Sequence, residues 1–383
     1  MLPFSLKFEK RLEPSRAAMI LVPLLSLLLA LLFGAALLAV AGANPWETYE
    51  AMLAGAFGTP TLWQEGQFYN STELLVKAVP IILTGLSVSV AFRMLFWNIG
   101  AEGQLVMGGI ATAAVALFLP STLSFLPESP WIWLPLLMIA SILAGAIWAL
   151  IPALLKAFLN VNEIITTLMF NYIAILFYQY LFQLAWKDPD GFGFPGSALT
   201  PEYTWIPRIS GRLHWGLLLA LAAAALVWVI MDKTRWGYEI RLIGENSTAA
   251  KYAGVSIVRN IVLVMLLSGG LAGLAGFVEV AAISHRLQSG LAVGYGFTGI
   301  IVAWLAKLNP WGVVLVGILL SALFVGGEQI QITMGLPASV SLVLQGMILL
   351  FVLGGDVFTR YKLRVIRRVP VVDQSTAATA QEV

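Results

Sequence analysis

The chain has 383 residues, of which 59% are apolar and only 11% charged, against roughly a quarter charged in ordinary soluble domains. No soluble fold hides so much apolar area behind so little charge, so lipid is the natural solvent. The chain has no cysteine, two distant histidines (His214 and His285) and a formal net charge of +2, which argues against disulfides, thiolate catalysis, a metal centre and nucleic-acid binding.

In chain order, Lys7, Lys10, Arg11 and Arg16 precede an apolar run from Met19 to Val40. The run outlasts the apolar region of a secretion signal and is long enough to span a bilayer, so it reads as a retained first helix. Nine more apolar runs follow, of which the eighth of the ten is short and the break between the second and third is ambiguous. The ten candidate helices lie near 19–41, 73–92, 99–119, 131–153, 164–185, 215–231, 258–282, 294–307, 311–330 and 338–356. The fold class expected is therefore all-α, a polytopic integral membrane protein. A basic N-terminal segment (1–18) precedes the transmembrane domain (19–357), and a tail follows (358–383). With ten helices and an inside N-terminus, seventeen of the 22 lysines and arginines fall on the cytoplasmic side, which places both termini there.

Two outside segments are substantial. Residues 42–72 open on a capped, amphipathic surface helix after Asn44, and 186–214 are rich in proline, glycine and aromatics. The longest inside connection is 232–257, and the polar tail after Val372 reads as disordered. Nothing leaves room for a soluble catalytic domain. The chain reads as a non-enzyme without a cofactor, its energy coming from a partner or an ion gradient.

Polar residues inside apolar surroundings mark the segments that carry chemistry. Phe96 to Gln104 interrupts two apolar helices, and broken backbone at membrane depth survives only where it is buried in protein or lines a wet cavity. Transporters place substrate at such breaks. Asn98 caps the following helix in this reading, with Glu102 in its first turn, and a tight cytoplasmic turn is the equal alternative. Glu102 and Gln104 are candidates for a substrate pathway. Further on, Asn162 and Glu163 start a helix that carries Thr166, Thr167 and Asn171. Threonines there usually hold helices together, whereas the Asn171 amide can both donate to and accept from a ribose or base.

Four acids lie in or near spans: Glu102, Glu279, Glu328 and Asp356. Glu279 and Glu328 are expected at the outer rim, within reach of water, and Asp356 pairs with Arg360 one turn on. No chain of acids crosses the membrane, which disfavours a gradient-driven secondary transporter, the alternative function. Gly294 to Gly299 matches a dinucleotide fingerprint but lacks its preceding strand, so the match is dismissed. The small-residue run Ser268 to Gly276 allows close helix approach. In the inside connection, Asn246 or Ser247 caps a short helix carrying Ala249 and Ala250 and ending at Gly254. Such a helix suits either a groove on a cytoplasmic partner or an ordinary interfacial loop.

The run Ala249, Ala250 and Gly254 resembles the core of the cytoplasmic loop by which ABC importer permeases grip their ATPases. Thr248 stands where that motif usually has Glu, and its later Leu-Pro is absent. Asn98 to Gln104, Val161 to Glu163 with Asn171 and Tyr172, Gly244 to Asn246 with Ala249 and Ala250, and Gly294 to Gly299 occur in one order. That ordered set resembles the nucleoside and simple-sugar branch of the ribose-type ABC permease family, over roughly residues 17 to 358. The resemblance implies a permease dimer, of two copies or two different chains, with cytoplasmic ABC ATPases and an extracytoplasmic substrate-binding protein. It implies ATPase coupling by Gly244, Glu245, Asn246, Ala249, Ala250 and Gly254, so a bulky charge at Ala250 is expected to abolish it. The substrate-pathway candidates remain Asn98, Glu102, Gln104 and Asn171.

Overall fold

The structure is a computed structural model that describes residues 4–10, 16–123, 125–337 and 339–367. The expected disorder after Val372 lies outside these residues. In chain order the elements begin with β1 (Phe4–Lys10), α1 (Arg16–Val40), α2 (Pro45–Phe57), α3 (Pro60–Gln64), α4 (Tyr69–Phe92), α5 (Ala101–Thr122) and α6 (Pro130–Leu159). Next come α7 (Glu163–Tyr180), β2 (Arg208–Ser210), β3 (Leu213–His214), α8 (Gly216–Lys233), α9 (Arg235–Glu245), α10 (Ser247–Tyr252) and α11 (Ile257–Val278). The last are α12 (Tyr295–Leu305), α13 (Pro310–Met334), α14 (Ser339–Arg360) and β4 (Tyr361–Arg367). Single π-helical stretches, Leu181–Ala185 and Glu279–Ser284, continue α7 and α11.

Each of the ten apolar runs is helical, but the described residues do not make up ten full spans. Among the described residues, seven helices (α4–α8, α11 and α13) are long and apolar enough to cross a bilayer, or eight if α1 with α2–α3 counts as one broken span. With 11 residues, α12 reaches about 16 Å, roughly half of the ~30 Å hydrocarbon layer. The described apolar stretch of α14, Leu342–Gly355, is also short.

Residues 44–342 form one compact unit. Local chemistry sets its helix ends. Asn162 begins α7 by accepting from Ile164 N at 2.9 Å, and Asn309, followed by Pro310, begins α13 by accepting from Trp311 N at 3.0 Å. Asn160 ends α6 in the left-handed conformation. α4 is apolar on every side and buried along nearly its whole length, packed against α8, α11, α12 and α13. The small-residue run of α11 does what its composition promises. A Cβ on Gly273 would meet Ser141 O of α6 at 2.3 Å, and one on Gly108 of α5 would meet Gly273 O at 2.4 Å. Ser141 Oγ also donates to Gly273 O at 2.7 Å. α11 is therefore clasped between α5 and α6 at backbone contact. α2 is capped by Asn44 as expected, but its Met52 and Gly55 lie against Gly326 and Gln329 of α13 rather than standing alone on the surface.

Residues 1–43 and 343–383 form the other unit. Within it β1 pairs antiparallel with β4, from Phe4 opposite Arg367 to Lys10 opposite Tyr361, a ladder that the sequence reading did not expect in the two terminal segments. It brings the two terminal segments together. Phe33 and Phe351 pack at 5.0 Å between α1 and α14. The side chains of Asp356 and Arg360, expected to pair, lie outside the described ones.

Candidate functional site: a half-helix and its polar frame

The polar segment between α4 and α5 is a tight turn whose tip, Leu95, is exposed and whose returning limb is buried in protein. Asn98 is fully buried and pairs with Gln104 amide to amide: Asn98 Nδ2 donates to Gln104 Oε1 (3.0 Å), and Gln104 Nε2 donates back to Asn98 Oδ1 (3.1 Å). Asn98 Nδ2 also donates to Ser268 Oγ of α11, which in turn donates to Ser87 O of α4 (2.7 Å). Asn98 Oδ1 accepts from Gly100 N, the local capping role read from the sequence. Asn171 of α7 brackets the same turn from the other side. Its Nδ2 donates to Ile99 O (2.7 Å) and its Oδ1 accepts from Gly103 N (2.8 Å). Thr167 accepts from Ile99 N and donates to Glu163 O, the structural role expected of it. Sequence reasoning missed Ser87 and Ser268, because a serine in an apolar run carries no sign of its distant partner.

The unsupported backbone lies elsewhere, at α12. From the outer loops, where Gln288 bridges Gly196, the chain descends through buried Leu287 and Leu291 to Gly294 and only then turns helical. α12 then runs to Leu305, and in the turn that follows the carbonyl of Leu308 accepts from Arg93 at the far end of α4. Glu102 closes the free N-terminus of this half-helix. Its Oε1 accepts from Gly294 N at 2.7 Å and its Oε2 from Gly296 N at 2.6 Å. A Cβ on Gly296 would sit 2.2 Å from Glu102 N, so only glycine permits the approach. A charged acceptor on a helix N-terminus is the favourable arrangement. The glycines that imitate a dinucleotide fingerprint thus serve a carboxylate of the chain itself. Thr84 of α4 fixes the next residue by donating to Tyr295 O at 3.0 Å.

The inside connection is two helices. Asn246 ends α9 and caps α10, its Oδ1 accepting from Ala249 N at 3.0 Å, and Gly254 follows with a positive φ of 80°. Ala249, Glu245 and Tyr252 are exposed. Ala250 points inward and is fully buried, so a bulky charge there acts through packing, not through a docking face. α9 is anchored twice. A Cβ on Gly244 would lie 2.3 Å from Arg93 O of α4, and Trp236 and Glu239 both bond Asn260 of α11 (2.8 and 3.0 Å). A groove of about 670 Å³ runs beside it, between the 94–96 turn, the α6–α7 turn and the start of α11.

At the opposite end of the helices, Glu73 pairs with Arg212 (2.9 Å) and Lys77 with Glu328 (3.0 Å). Glu279 is buried at the start of the π-helical stretch, contrary to the access to water expected for it, whereas Glu328 is half exposed. In the outer loops, Trp205 stacks on His285 at 4.0 Å. Burial, with the Arg212 guanidinium second, pushes His214 down to about 4, and burial with Arg208 does the same to His285.

Residues 70–353 match the sequence family described as branched-chain amino acid transport system / permease component. The chain is 36% identical to the glucose ABC transporter permease protein TsgB13 of Haloferax volcanii, over 89% of each chain. It is also 36% identical to the guanosine ABC transporter permease protein NupP of Bacillus subtilis, over 88% of this chain and 94% of that one. The nucleoside ABC transporter permease protein NupB of Lactococcus lactis subsp. cremoris is 29% identical, over 87% and 90%.

Proposed function

This chain belongs to the family of branched-chain amino acid transport system permease components, and from that premise we propose that it forms the translocation pathway of an ATP-driven importer for nucleosides or related simple sugars. One observation carries the substrate class. Relatives alike over nearly the whole chain are named for glucose, guanosine and nucleosides, although the family description names amino acids. The half-helix supports the same choice. An amino acid would bring a carboxylate to seat on free N–H groups, and at α12 Glu102 already holds two of them. A neutral polyol has no such need.

Asn98, Glu102, Gln104 and Asn171 serve this pathway as positioning residues. Each has its polar groups bonded within the protein, and together they fix the α4–α5 turn and the start of α12. The segment Gly244 to Gly254 couples the pathway to a cytoplasmic ABC ATPase, with Glu245, Asn246 and Ala249 near the docking face and Gly244 and Ala250 packed beneath. Its anchors on α4 and α11 pass the ATPase's motion to the helices that carry the polar frame. A second permease subunit, identical or not, and an extracytoplasmic binding protein complete the transporter in the plasma membrane.

Accumulation of labelled adenosine by cells expressing the complete system provides the test. Uptake is expected to stop on ATP depletion and to survive collapse of the proton gradient at constant ATP. Loss on gradient collapse alone would overturn the ATP-driven reading.

A further inference from the structure

The carboxylate of Glu279 is an anomaly among the described residues. The residue is only 6% exposed, yet its Oε2 has no hydrogen-bond partner among the described residues. A buried carboxylate oxygen without a partner costs more than one that is bonded, so such an atom calls for an occupant. Its setting is not an ordinary helix. It opens the stretch Glu279–Ser284, where α11 widens to π-helical bonding, a feature that recurs at functional sites.

Other groups converge there from separate elements. Lys77 of α4 and Arg212 of the outer loop are the cations that act on the Glu279 carboxylate, and Glu102 and Glu73 the anions. Glu73 repeats the anomaly: Arg212 takes its Oε1 at 2.9 Å, while its buried Oε2 has no partner. The hydroxyl of Tyr295, the first residue of the half-helix, lies in the field of Glu279, Glu328, Glu102 and Glu73. Two carboxylate oxygens thus stand free within a mixed-charge cluster whose net charge is partly cancelled by Lys77 and Arg212. The cluster sits at the outer ends of α4, α11 and α13, with the half-helix below.

Free carboxylate oxygens accept, and the ligand that satisfies them must donate without adding a full charge. Adjacent hydroxyls do this, each offering one O–H to a carboxylate oxygen in a short charge-assisted bond. We propose that Glu279, with Glu73 and the Tyr295 ring, forms a station near the outer ends of α4 and α11 that receives the vicinal hydroxyls of the sugar ring during translocation. The assignment rests on the nucleoside and sugar reading above and names the part of the substrate that the permease itself grips. Glu279 supplies the acceptor, and Lys77 and Arg212 keep the cluster from repelling electron-rich oxygens.

The test uses the complete transporter in proteoliposomes, with the same binding protein throughout so that its own selectivity cancels. Uptake of labelled guanosine is compared with uptake of 2′,3′-dideoxyguanosine, and glucose with 2-deoxyglucose, in wild type and in Glu279→Gln. The preference for the hydroxylated substrate is expected to fall about tenfold or more in Glu279→Gln, because a site built to bond hydroxyls discriminates through them. Uptake of the deoxy analogue should change less than twofold. Glu279→Asp, which keeps the acceptor, should restore most of the preference. Should Glu279→Gln fail to assemble, Glu73→Gln on a different helix must show the same loss. An unchanged preference, or an equal fall for both members of a pair, would overturn the station while leaving the transporter's function intact. Absence of guanosine and glucose uptake in an ATP-hydrolysing wild type would instead overturn the substrate reading, and the station with it.

Discussion

Asn171 stood out in the sequence as a polar group in an apolar helix, but its partners on the α4–α5 turn did not. Inside an apolar helix it must find both a donor and an acceptor, and it takes them from the backbone at Ile99 and Gly103. Replacing Asn171 with Leu leaves that carbonyl and that N–H unpaired, at a cost of about 2–4 kcal/mol. Thermal unfolding of the purified protein should show a clearly lower midpoint; a wild-type midpoint would remove Asn171 from the frame. Caps such as Asn162 and Asn246 were legible in the sequence because their partners lie within three residues. Glu102 was legible as a group of consequence but not in its role. Its partners at Gly294 and Gly296 are 192 and 194 residues away, and proximity along the chain pointed to α5 instead.

Among elements, α10 separates what can be docked from what must be packed. Its exposed face carries Ala249 and Tyr252, while Ala250 is fully enclosed. Ala249→Arg should therefore lower substrate-stimulated ATP hydrolysis at least several-fold while leaving the unfolding temperature within a degree or two, since exposed substitutions rarely cost more than about 0.5 kcal/mol. Ala250→Arg should lower both, as overpacking and a buried charge demand. Equal behaviour of the two variants would deny α10 a docking face. Apolar periodicity located all ten helical runs, because burial in lipid or protein leaves its mark on composition. The eighth run was visibly short, but the sequence did not show that a non-helical descent through buried Leu287 and Leu291 leads into α12.

At the level of the whole molecule, the inner and outer ends answer to different chemistry. The sequence assigns most lysines and arginines to the inner side, whereas the outer loops bury His214 and half-bury His285. Burial holds the native His214 at about 4, below its ordinary 6.5, so the unfolded chain binds more protons between those values. Stability is then complete above about pH 6.5 and is lost as pH falls toward 4, by on the order of 3 kcal/mol for this group. Protection factors of residues 197–214, corrected for the intrinsic pH dependence of amide exchange, should fall over that window, and a flat profile would show that His214 is protonated without strain.

The glycine clasp around α11 has a mechanical meaning. Where Gly108, Gly145, Gly269 and Gly273 bring backbones together, no side chain lies between them to change rotamer, so the seam has no slack. α5, α6 and α11 must travel as one block in any gating motion. Give is left to the outer ion pairs Glu73–Arg212 and Lys77–Glu328, which can part and re-form without tearing a packed surface.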